Sequence, residues 1–425
     1  MMPSPWSIDQ ELGLWYYQTE NKGIGGKLRE NPEDFEVTER AMHTFIDGPY
    51  LICSLTKRNW DQHRAIKAIA SHLGISHQRI GFAGTKDKRA VTTQHISIYK
   101  CTPEDIARLS IPDLSLTVLG TSQHPINLGA LEGNTFAIRI SEIDEPNPQE
   151  SLEIFQKSIK EGIPNYIGYQ RFGVTRPITH HIGCAILKGE YQNAIRVMIG
   201  KPGTAMDIHE EEGRACYRET EDPARCLHLL PPRLSLERSV LHYLVQHPHD
   251  YLGAIKQLPR TLRSMYVSAV QSWIFNIALS MRIRDNRSLC EPETGDWLIW
   301  PDGRTDQVSH ATIHSAKIQV KRNRCTIALP LPGSSYRPST PGISPDEKNI
   351  QYILNEHGIT PDMFENVKTI LDTTFSGSFR PVLMKTDFTY AVQEREITAK
   401  FFLPAGQYAT TVLRELMKTD PLHMV

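Results

Sequence analysis

The sequence GFAGTKDKRAVTTQ spans residues 81–94 and joins a glycine-containing polar turn to an alternating pattern typical of a strand. Asp87 is its only carboxylate and lies among the cations Lys86, Lys88 and Arg89. One interpretation is a solvated turn whose charged residues face water. The other is a functional loop, in which the cations attract a phosphodiester backbone and keep Asp87 ionised as a nucleophile or base. Spacing alone does not choose between them.

Regular elements are predicted on both sides of this loop. Apolar spacing predicts a helix over residues 61–73, with Asp61 as its N-cap and Gly74 at its C-terminal end. Alternation predicts strands over 90–99 and 136–143. A further strand is expected from Phe35 and a further helix from Glu150 to Gly162. The first 170 residues therefore predict an α+β or α/β layer with one sheet face open to a substrate.

The sequence pattern changes near residue 174 and suggests a separate middle domain. Helical spacing predominates in residues 191–200, 234–247 and 268–283. Segments 295–303 and 317–330 have a polar, strand-like pattern, and 331–349 is a Pro/Ser/Gly-rich stretch that predicts an exposed loop. Strands are expected again around 380–403, followed by a short helix in 408–418.

Length and composition limit the class of protein. A chain of 425 residues exceeds the usual size of one hydrophobic core, so two domains are expected. The apolar runs are too short for a bilayer and the N-terminus has no signal-peptide pattern, so we expect a soluble cytoplasmic protein. With a net charge of -1, a polyanionic partner has to be bound by a local basic surface.

Known catalytic and cofactor motifs are largely missing from the sequence. The seven cysteines are scattered without CxxC spacing, which argues against a disulfide framework or zinc ribbon and for buried, reduced thiols. Gly84-Thr85-Lys86 does not have Walker A spacing, and no GxGxxG, HExxH or GxSxG motif is present. No metal site is therefore expected, and a nucleotide-dependent enzyme would rest on Gly84-Thr85-Lys86 alone.

Seven segments in order resemble the motifs of the TruD family of pseudouridine synthases. GFAGTKDKRAVTTQ resembles the motif that carries that family's catalytic aspartate. KLRENPEDFEVTE (27–39) resembles its KxxPEDFxVxE motif, GNTFAIRI (133–140) its Asn-x-Phe motif, and PNYIGYQRFG (164–173) its PNYFGxQRFG motif. YVSAVQSWIFN (266–276), GSFRP (377–381) and FFLPAGQYATTVLRELMK (401–418) resemble later motifs. The resemblance spans residues 27–418.

The resemblance implies an α+β fold in which a mixed pseudouridine-synthase sheet with flanking helices is interrupted by a second α+β domain. The expected boundaries are 1–173 for the first part of the catalytic domain, 174–374 for the inserted TRUD-type domain and 375–425 for the last part. The implied activity is guide-free isomerisation of uridine to pseudouridine in RNA, characteristically at position 13 of tRNA. This reaction needs no cofactor. A monomer is favoured, and no membrane partner is expected.

The same resemblance assigns site residues. Asp87 is the expected catalytic carboxylate, acting at C1′ as a nucleophile or at C2′ as a base. Lys27 is matched with the lysine of the first motif and is expected to pair with Asp87. Phe136 is expected to stack on the extruded uracil, with a buried core residue as the alternative, and Asn134 to orient Asp87 or the base. The expected site wall comprises Glu39, Tyr166, Gln170 and Arg171.

Basic residues are candidate RNA contacts. The expected contacts to the RNA backbone are Lys57, Arg58, Lys86, Lys88 and Arg89, and the segment Lys321–Arg324 is a further candidate. A solvated surface is the alternative for each, and Arg380 and Arg414 either contact phosphate or brace the fold. The alternative function is a non-catalytic RNA-binding or RNA-folding protein on the same scaffold, favoured if Asp87 is dispensable.

Overall fold

The computed structural model describes residues 1–41, 44–203, 207–337 and 344–424. The strands are β1 (Met2–Pro3), β2 (Tyr16–Tyr17), β3 (Gly25–Leu28), β4 (Phe35–Arg40), β5 (Tyr50–Arg58), β6 (Ile80–Phe82), β7 (Val91–Tyr99), β8 (Leu114–Ser122), β9 (Gly133–Ile143), β10 (Ile163–Pro164), β11 (Trp297–Ile299), β12 (Thr305–Gln307), β13 (Thr326–Leu331), β14 (Ser378–Pro381), β15 (Leu383–Met384), β16 (Phe388–Gln393) and β17 (Glu396–Pro404). The α-helices are α1 (Ser7–Leu12), α2 (Gln62–His72), α3 (Pro103–Ala107), α4 (Gln149–Glu161), α5 (Thr179–Leu187), α6 (Tyr191–Ile195), α7 (Ile208–Thr220), α8 (Pro223–Leu229), α9 (Ser235–Gln246), α10 (Tyr251–Lys256), α11 (Arg260–Arg284), α12 (Ile313–Lys321), α13 (Pro345–Glu356), α14 (Pro361–Asn366), α15 (Lys368–Leu371) and α16 (Ala409–Met417).

The chain divides into two compact units. The sheet unit comprises Asn21–Ile163 and Lys385–Val425. The helical unit comprises Met1–Glu20 and Pro164–Met384. Each unit is therefore assembled from two separate stretches of chain. The domain boundaries expected from the sequence, at 173/174 and 374/375, stay a prediction.

The sheet unit is built on one mixed sheet. Its strand order is β16-β17-β9-β4-β7-β5-β8, with β3 added to β9 and β6 added to β7. The pair β4–β7 is parallel and the other described pairs of this sheet are antiparallel. This mixed sheet with flanking helices agrees with the α+β class expected from the sequence.

The two faces of this sheet differ in character. In β4, the buried residues Phe35 and Val37 alternate with the exposed residues Glu36 and Thr38, as the period of two in a strand requires. Helix α2 covers the buried side of β5 and β7, where Ile66, Ile69, Leu55 and Ile96 form one apolar cluster. On the opposite side lies a row of threonines, of which Thr56 and Thr93 share a hydrogen bond of 2.9 Å. The use of one sheet face by a substrate stays a prediction.

The helical unit is organised around α11, its longest described helix. Most of the middle of α11 is buried, from Tyr266 to Ile283. A small sheet of order β12-β11-β13-β14 lies in the same unit. Within the described residues, none of the helices combines the length and the apolar character needed to cross a bilayer.

Most of the expected elements are present, but the strand expected at 317–321 and the end of the exposed loop expected over 331–349 are wrong. Helix α2 has Asp61 as its N-cap, which accepts a hydrogen bond from the Arg64 amide at 3.0 Å, and Gly74 follows it with a φ of 63°. Residues 317–321 form the end of α12 and not a strand. A short alternating run such as Lys-Ile-Gln-Val-Lys fits either a strand or an exposed helix, so its period does not decide between them. Helix α13 begins at Pro345, inside the predicted exposed loop, and residues 338–343 of that loop lie outside the described residues.

Candidate active site

Asp87 lies on the short connection between β6 and β7. The Gln94 side chain donates to the Gly84 carbonyl (3.3 Å), and the Asn59 amide donates to the Ala90 carbonyl (3.0 Å). These bonds attach both ends of the connection to the sheet. The Asp87 side chain remains 44 % exposed, so its carboxylate is accessible to a large substrate.

Arg29 is the cation that pairs with Asp87. Its Nη2 donates to Asp87 Oδ2 at 2.6 Å, and its guanidinium lies 4.0 Å from the centre of the Phe35 ring. The Arg29 side chain is only 14 % exposed, so its guanidinium is confined between the Phe35 ring and the Asp87 carboxylate. One oxygen of Asp87 is thereby held in a defined position.

The predicted pair between Lys27 and Asp87 is wrong. Lys27 Nζ lies 2.6 Å from Glu142 Oε2, and the hydrogen bond that Lys27 donates to this carboxylate raises the pKa of Lys27. Lys27 belongs to β3, whereas Arg29 follows the end of that strand with a φ of 61°, and the chain therefore leaves the extended path between them. The sequence did contain a signal for the correct cation. In the motif KxxPEDF the lysine lies three residues before the proline, and the residue at that position in this chain is Arg29.

Lys57 is buried beneath the Asp87 connection. Its Nζ donates to the carbonyls of Trp60 and Asp87, both at 2.7 Å, and lies 3.5 Å from the carbonyl of Lys86. The side chain is fully buried, and burial lowers its pKa to about 8. A contact of Lys57 with the RNA backbone, expected from the sequence, is contradicted by this burial. The ammonium instead holds the main chain of Asp87.

Glu39 anchors the same connection from β4. Its Oε2 accepts a hydrogen bond from Lys86 Nζ at 2.6 Å, and its Oε1 accepts one from the His95 amide at 3.2 Å. The side chains of Glu39 and Lys86 are 0 % and 6 % exposed. The ammonium of Lys86 is therefore engaged in a buried pair, which contradicts the expected contact with RNA, and Glu39 fixes the residue that precedes Asp87.

Asn134 and Phe136 lie on β9, next to β4. Asn134 is opposite Glu39, and Phe136 is opposite Val37. The Phe136 ring stacks on Phe401, with centroids 5.4 Å apart, and the residue is 8 % exposed. Asn134 Oδ1 is buried and accepts no hydrogen bond from the described residues. Phe136 thus packs as a core residue with little exposed surface, and its stacking on uracil stays a prediction.

The other expected wall residues belong to the helical unit. Tyr166 is 1 % exposed, and its hydroxyl shares a hydrogen bond of 2.7 Å with Ser280 Oγ. Gln170 and Arg171 lie in a 3-10 turn, where Gln170 is exposed and Arg171 half-buried. Their part in the site stays a prediction. In the same unit, Arg380 donates to Asn165 Oδ1 at 2.7 Å, which favours a bracing role for this arginine.

Three of the expected RNA contacts are exposed on the sheet unit. Lys88 and Arg89 follow Asp87 directly, and Arg89 Nη2 donates to the Glu30 carbonyl at 3.3 Å. Arg58 pairs with Glu33, and the hydrogen bond with this carboxylate raises the pKa of Arg58. These three cations are accessible to a polyanion. Lys321–Arg324 are also exposed, in the helical unit.

One group in the described residues has metal-ligand chemistry, and it lies in the helical unit. Glu11, His180 and His181 offer ligand atoms within 4.8 Å of one another. Glu11 Oε1 already accepts hydrogen bonds from His181 Nε2 (2.9 Å) and Lys201 Nζ (3.0 Å). The bond from His181 and the charge of Lys201 lower the pKa of Glu11 to about 2. The ammonium of Lys201 therefore occupies the place that a cation would take.

The chemical capacity of the site follows from Asp87. It is an accessible carboxylate whose Oδ2 is bound by a guanidinium and whose carbonyl is bound by a buried ammonium. These two contacts hold both the side chain and the main chain of Asp87. It is suited to attack an electrophilic carbon or to remove a proton from a substrate held against it.

Comparisons with known proteins agree on one family. Residues 11–416 match the family model described as tRNA pseudouridine synthase D (TruD). A protein of Methanococcoides burtonii named "Probable tRNA pseudouridine synthase D" is 38% identical, over 98% of this chain and 99% of that protein. A protein of Pyrococcus abyssi with the same name is 36% identical, over 95% and 98%. A crystal structure described as tRNA pseudouridine synthase D (TruD), from Methanosarcina mazei, matches with a TM-score of 0.80 and 34% identity over 99% of each chain.

Proposed function

The chain belongs to the TruD family of tRNA pseudouridine synthases, and we propose that it isomerises uridine to pseudouridine in tRNA with Asp87 as the catalytic carboxylate. The observation that carries this proposal is the accessible Asp87 carboxylate bound by Arg29, within the segment that resembles the family's aspartate motif. We further propose that the modified base is at position 13 and that no guide RNA takes part.

The reaction conserves all atoms of the nucleotide. The bond between C1′ and N1 breaks, the uracil turns, and a bond forms between C1′ and C5. C5 loses its hydrogen as a proton, and N1 gains one. Asp87 either attacks C1′ or removes a proton from C2′, and both alternatives need an ionised carboxylate next to the ribose. No donor or cofactor enters this balance.

The contacts of Asp87 distinguish its two carboxylate oxygens. Arg29 binds Oδ2, so we propose that Oδ1 faces the sugar. If Asp87 attacks C1′, the guanidinium also stabilises the carboxylate when it leaves again, because the returning negative charge meets a fixed cation. Lys57 and Glu39 act as positioning residues, because they hold the main chain and the preceding residue of Asp87.

The RNA has to present an extruded uridine to this carboxylate. Extrusion costs a few kcal/mol, which contacts with the backbone and the base have to offset. We propose that Lys88, Arg89 and Arg58 bind phosphates around the target nucleotide, because these cations are exposed on the sheet unit. Stacking of the base on Phe136 remains part of the proposal, although only a small part of this residue is exposed.

Other expectations are kept as proposals. The catalytic domain would comprise 1–173 and 375–425 with the TRUD-type domain at 174–374, and Tyr166, Gln170 and Arg171 would line the site. A monomer and a cytoplasmic location also stay predictions from the sequence.

Release of tritium tests the function. Transfer RNA labelled at uracil C5 is incubated with the protein without any cofactor, and tritium in water is counted. The wild type is expected to release tritium, and Asp87→Asn to release none while keeping its fold and RNA affinity. Asp113→Asn is the matched control, since Asp113 is also an exposed aspartate near an arginine, with its Oδ1 3.9 Å from Arg58 Nη1.

The outcomes separate the alternatives. Tritium release by the wild type and by Asp113→Asn, with none from Asp87→Asn, supports the role of Asp87. Residual turnover in Asp87→Asn would overthrow the assignment of the carboxylate. RNA binding without any release from folded wild type would favour the non-catalytic RNA-binding protein instead.

A further inference from the structure

Two cysteines of the helical unit lie with their sulfur atoms in direct contact. Cys216 is in α7 and Cys226 in α8, and their Sγ atoms are 2.9 Å apart. Cys216 is 7% exposed and Cys226 is fully buried. Both are free thiols in the structure, as are the other five cysteines of the chain. This contact brings together two residues that the scattered spacing of the sequence did not suggest as a pair.

The geometry of the contact is close to that of a covalent bond. A disulfide has an S–S length of about 2.05 Å, so the two sulfurs need to approach by about 0.9 Å more. Two thiols held at 2.9 Å gain little as a hydrogen bond, because S–H is a weak donor and sulfur a weak acceptor. The remaining approach of the two sulfurs is therefore short.

The turn between the helices holds both cysteines in place independently of a bond. The Thr220 hydroxyl donates to the Cys216 carbonyl at 2.8 Å, and Glu221 has a φ of 48°, which ends α7. Asp222 then caps α8, with Oδ1 accepting from the Ala224 amide at 2.9 Å. The main chain thus places the two sulfurs opposite each other before any oxidation takes place.

We propose that Cys216 and Cys226 form a disulfide that braces the α7–α8 hairpin. The oxidant is a small disulfide such as oxidised glutathione. One cysteine attacks it as a thiolate, forming a mixed disulfide and releasing one glutathione thiolate; the second cysteine then attacks the first and releases the other. The protein loses two electrons and two protons, and two molecules of reduced glutathione are formed.

Burial decides when this exchange takes place. Both sulfurs are buried and out of reach of a dissolved disulfide, and burial raises the pKa of Cys226 to about 12, which disfavours its thiolate in the folded hairpin. Oxidation therefore proceeds while the hairpin is open, during folding or local unfolding. Once formed, the bond is shielded from reductants by the same burial. This inference does not depend on the proposed function.

Thiol counting on the full-length protein tests the bond. The protein is refolded with oxidised or with reduced glutathione, unfolded in denaturant and labelled with a maleimide. The oxidised wild type is expected to label five cysteines, seven minus the two in the bond, and the reduced one all seven. A peptide map without reductant is expected to contain one cross-linked pair, Cys216 with Cys226. The unfolding temperature is expected to be higher for the oxidised form.

Two variants and a control complete the test. Cys216→Ser and Cys226→Ser are each expected to label six cysteines, seven minus one, in both conditions and to unfold at the same temperature in both. Cys184→Ser is the control, since Cys184 is another cysteine whose pKa burial raises to about 12, and its oxidised form should still carry the cross-link. Seven labelled thiols in oxidised wild type, or a cross-link between other cysteines, would overturn the proposal. Since the map of the wild type decides this alone, a serine variant that fails to fold does not affect it.

Discussion

Replacing Lys57 by methionine tests whether a buried cation positions Asp87, the proposed catalytic carboxylate. Methionine keeps much of the length of the side chain but leaves the carbonyls of Trp60 and Asp87 without the ammonium that donates to both at 2.7 Å. Each buried acceptor left without a donor costs about 1 to 3 kcal/mol, or about 2 to 6 kcal/mol for the two. The substitution therefore weakens the support of the loop that carries Asp87.

The loss of stability is partly offset. Burial lowers the Lys57 pKa from 10.5 to about 8, and the removal of this unfavourable charge returns about 3 kcal/mol. The net change in the free energy of unfolding then lies between a gain of about 1 kcal/mol and a loss of about 3 kcal/mol. For a unit of this size, each kcal/mol lowers the unfolding temperature by about 2 to 4 °C. Lys57→Met should therefore fold.

Turnover should respond more strongly than stability. A misplacement of about 1 Å in a reacting group can cost a factor of about 100, and we expect a loss of that size in the rate of tritium release under single-turnover conditions. RNA affinity should remain near that of the wild type, because Lys57 has no exposed surface.

Lys88→Met is the matched control on the same loop. Lys88 is exposed, so its loss should leave the unfolding temperature and the rate of the bound complex unchanged while weakening RNA binding. A Lys57→Met protein that turns over within about threefold of the wild type, or that loses only RNA affinity, would refute the reasoning.

Further outcomes are expected from the same contacts. Arg29→Met should lower the single-turnover rate at least about tenfold, since a loss of about 1.4 kcal/mol in transition-state stabilisation suffices for this. Lys27→Met is the control and should have little effect on the rate. Equal losses of rate in the two variants would contradict the pairing of Arg29 with Asp87. Phe136→Ala should lower the free energy of unfolding by about 3 to 5 kcal/mol, measured by denaturant titration, because the Phe136 ring is packed against Phe401. A change below about 1 kcal/mol would place the ring outside the core. Between pH 8 and 10.5, Lys57 is protonated in the unfolded chain but has lost its proton in the folded chain. The free energy of unfolding of the wild type should therefore rise with pH relative to that of Lys57→Met. Parallel curves of unfolding free energy against pH for the two proteins would contradict the lowered pKa.

Local sequence patterns predicted most of the elements around the site. Residues 61–73 became α2 with the expected cap, and the alternating segments became β7 and β9, because each pattern reports contacts between neighbours in the chain or on one face. The pattern failed at residues 317–321, where so short a run matches both periods. The sequence could thus predict which chain segments form the site, but not which partner each cationic side chain contacts.

The sequence by itself determined the family, since motifs in order from residue 27 to 418 identify it, and it singled out Asp87 as the carboxylate proposed to react. Only the tertiary structure decided that Lys57 lies beneath Asp87 and that Cys216 meets Cys226, and it corrected the cation paired with Asp87 from Lys27 to Arg29. The physical reason is distance along the chain. Arg29 and Asp87 are 58 residues apart, and whether a lysine faces water or a buried carbonyl depends on which segments the fold brings against it.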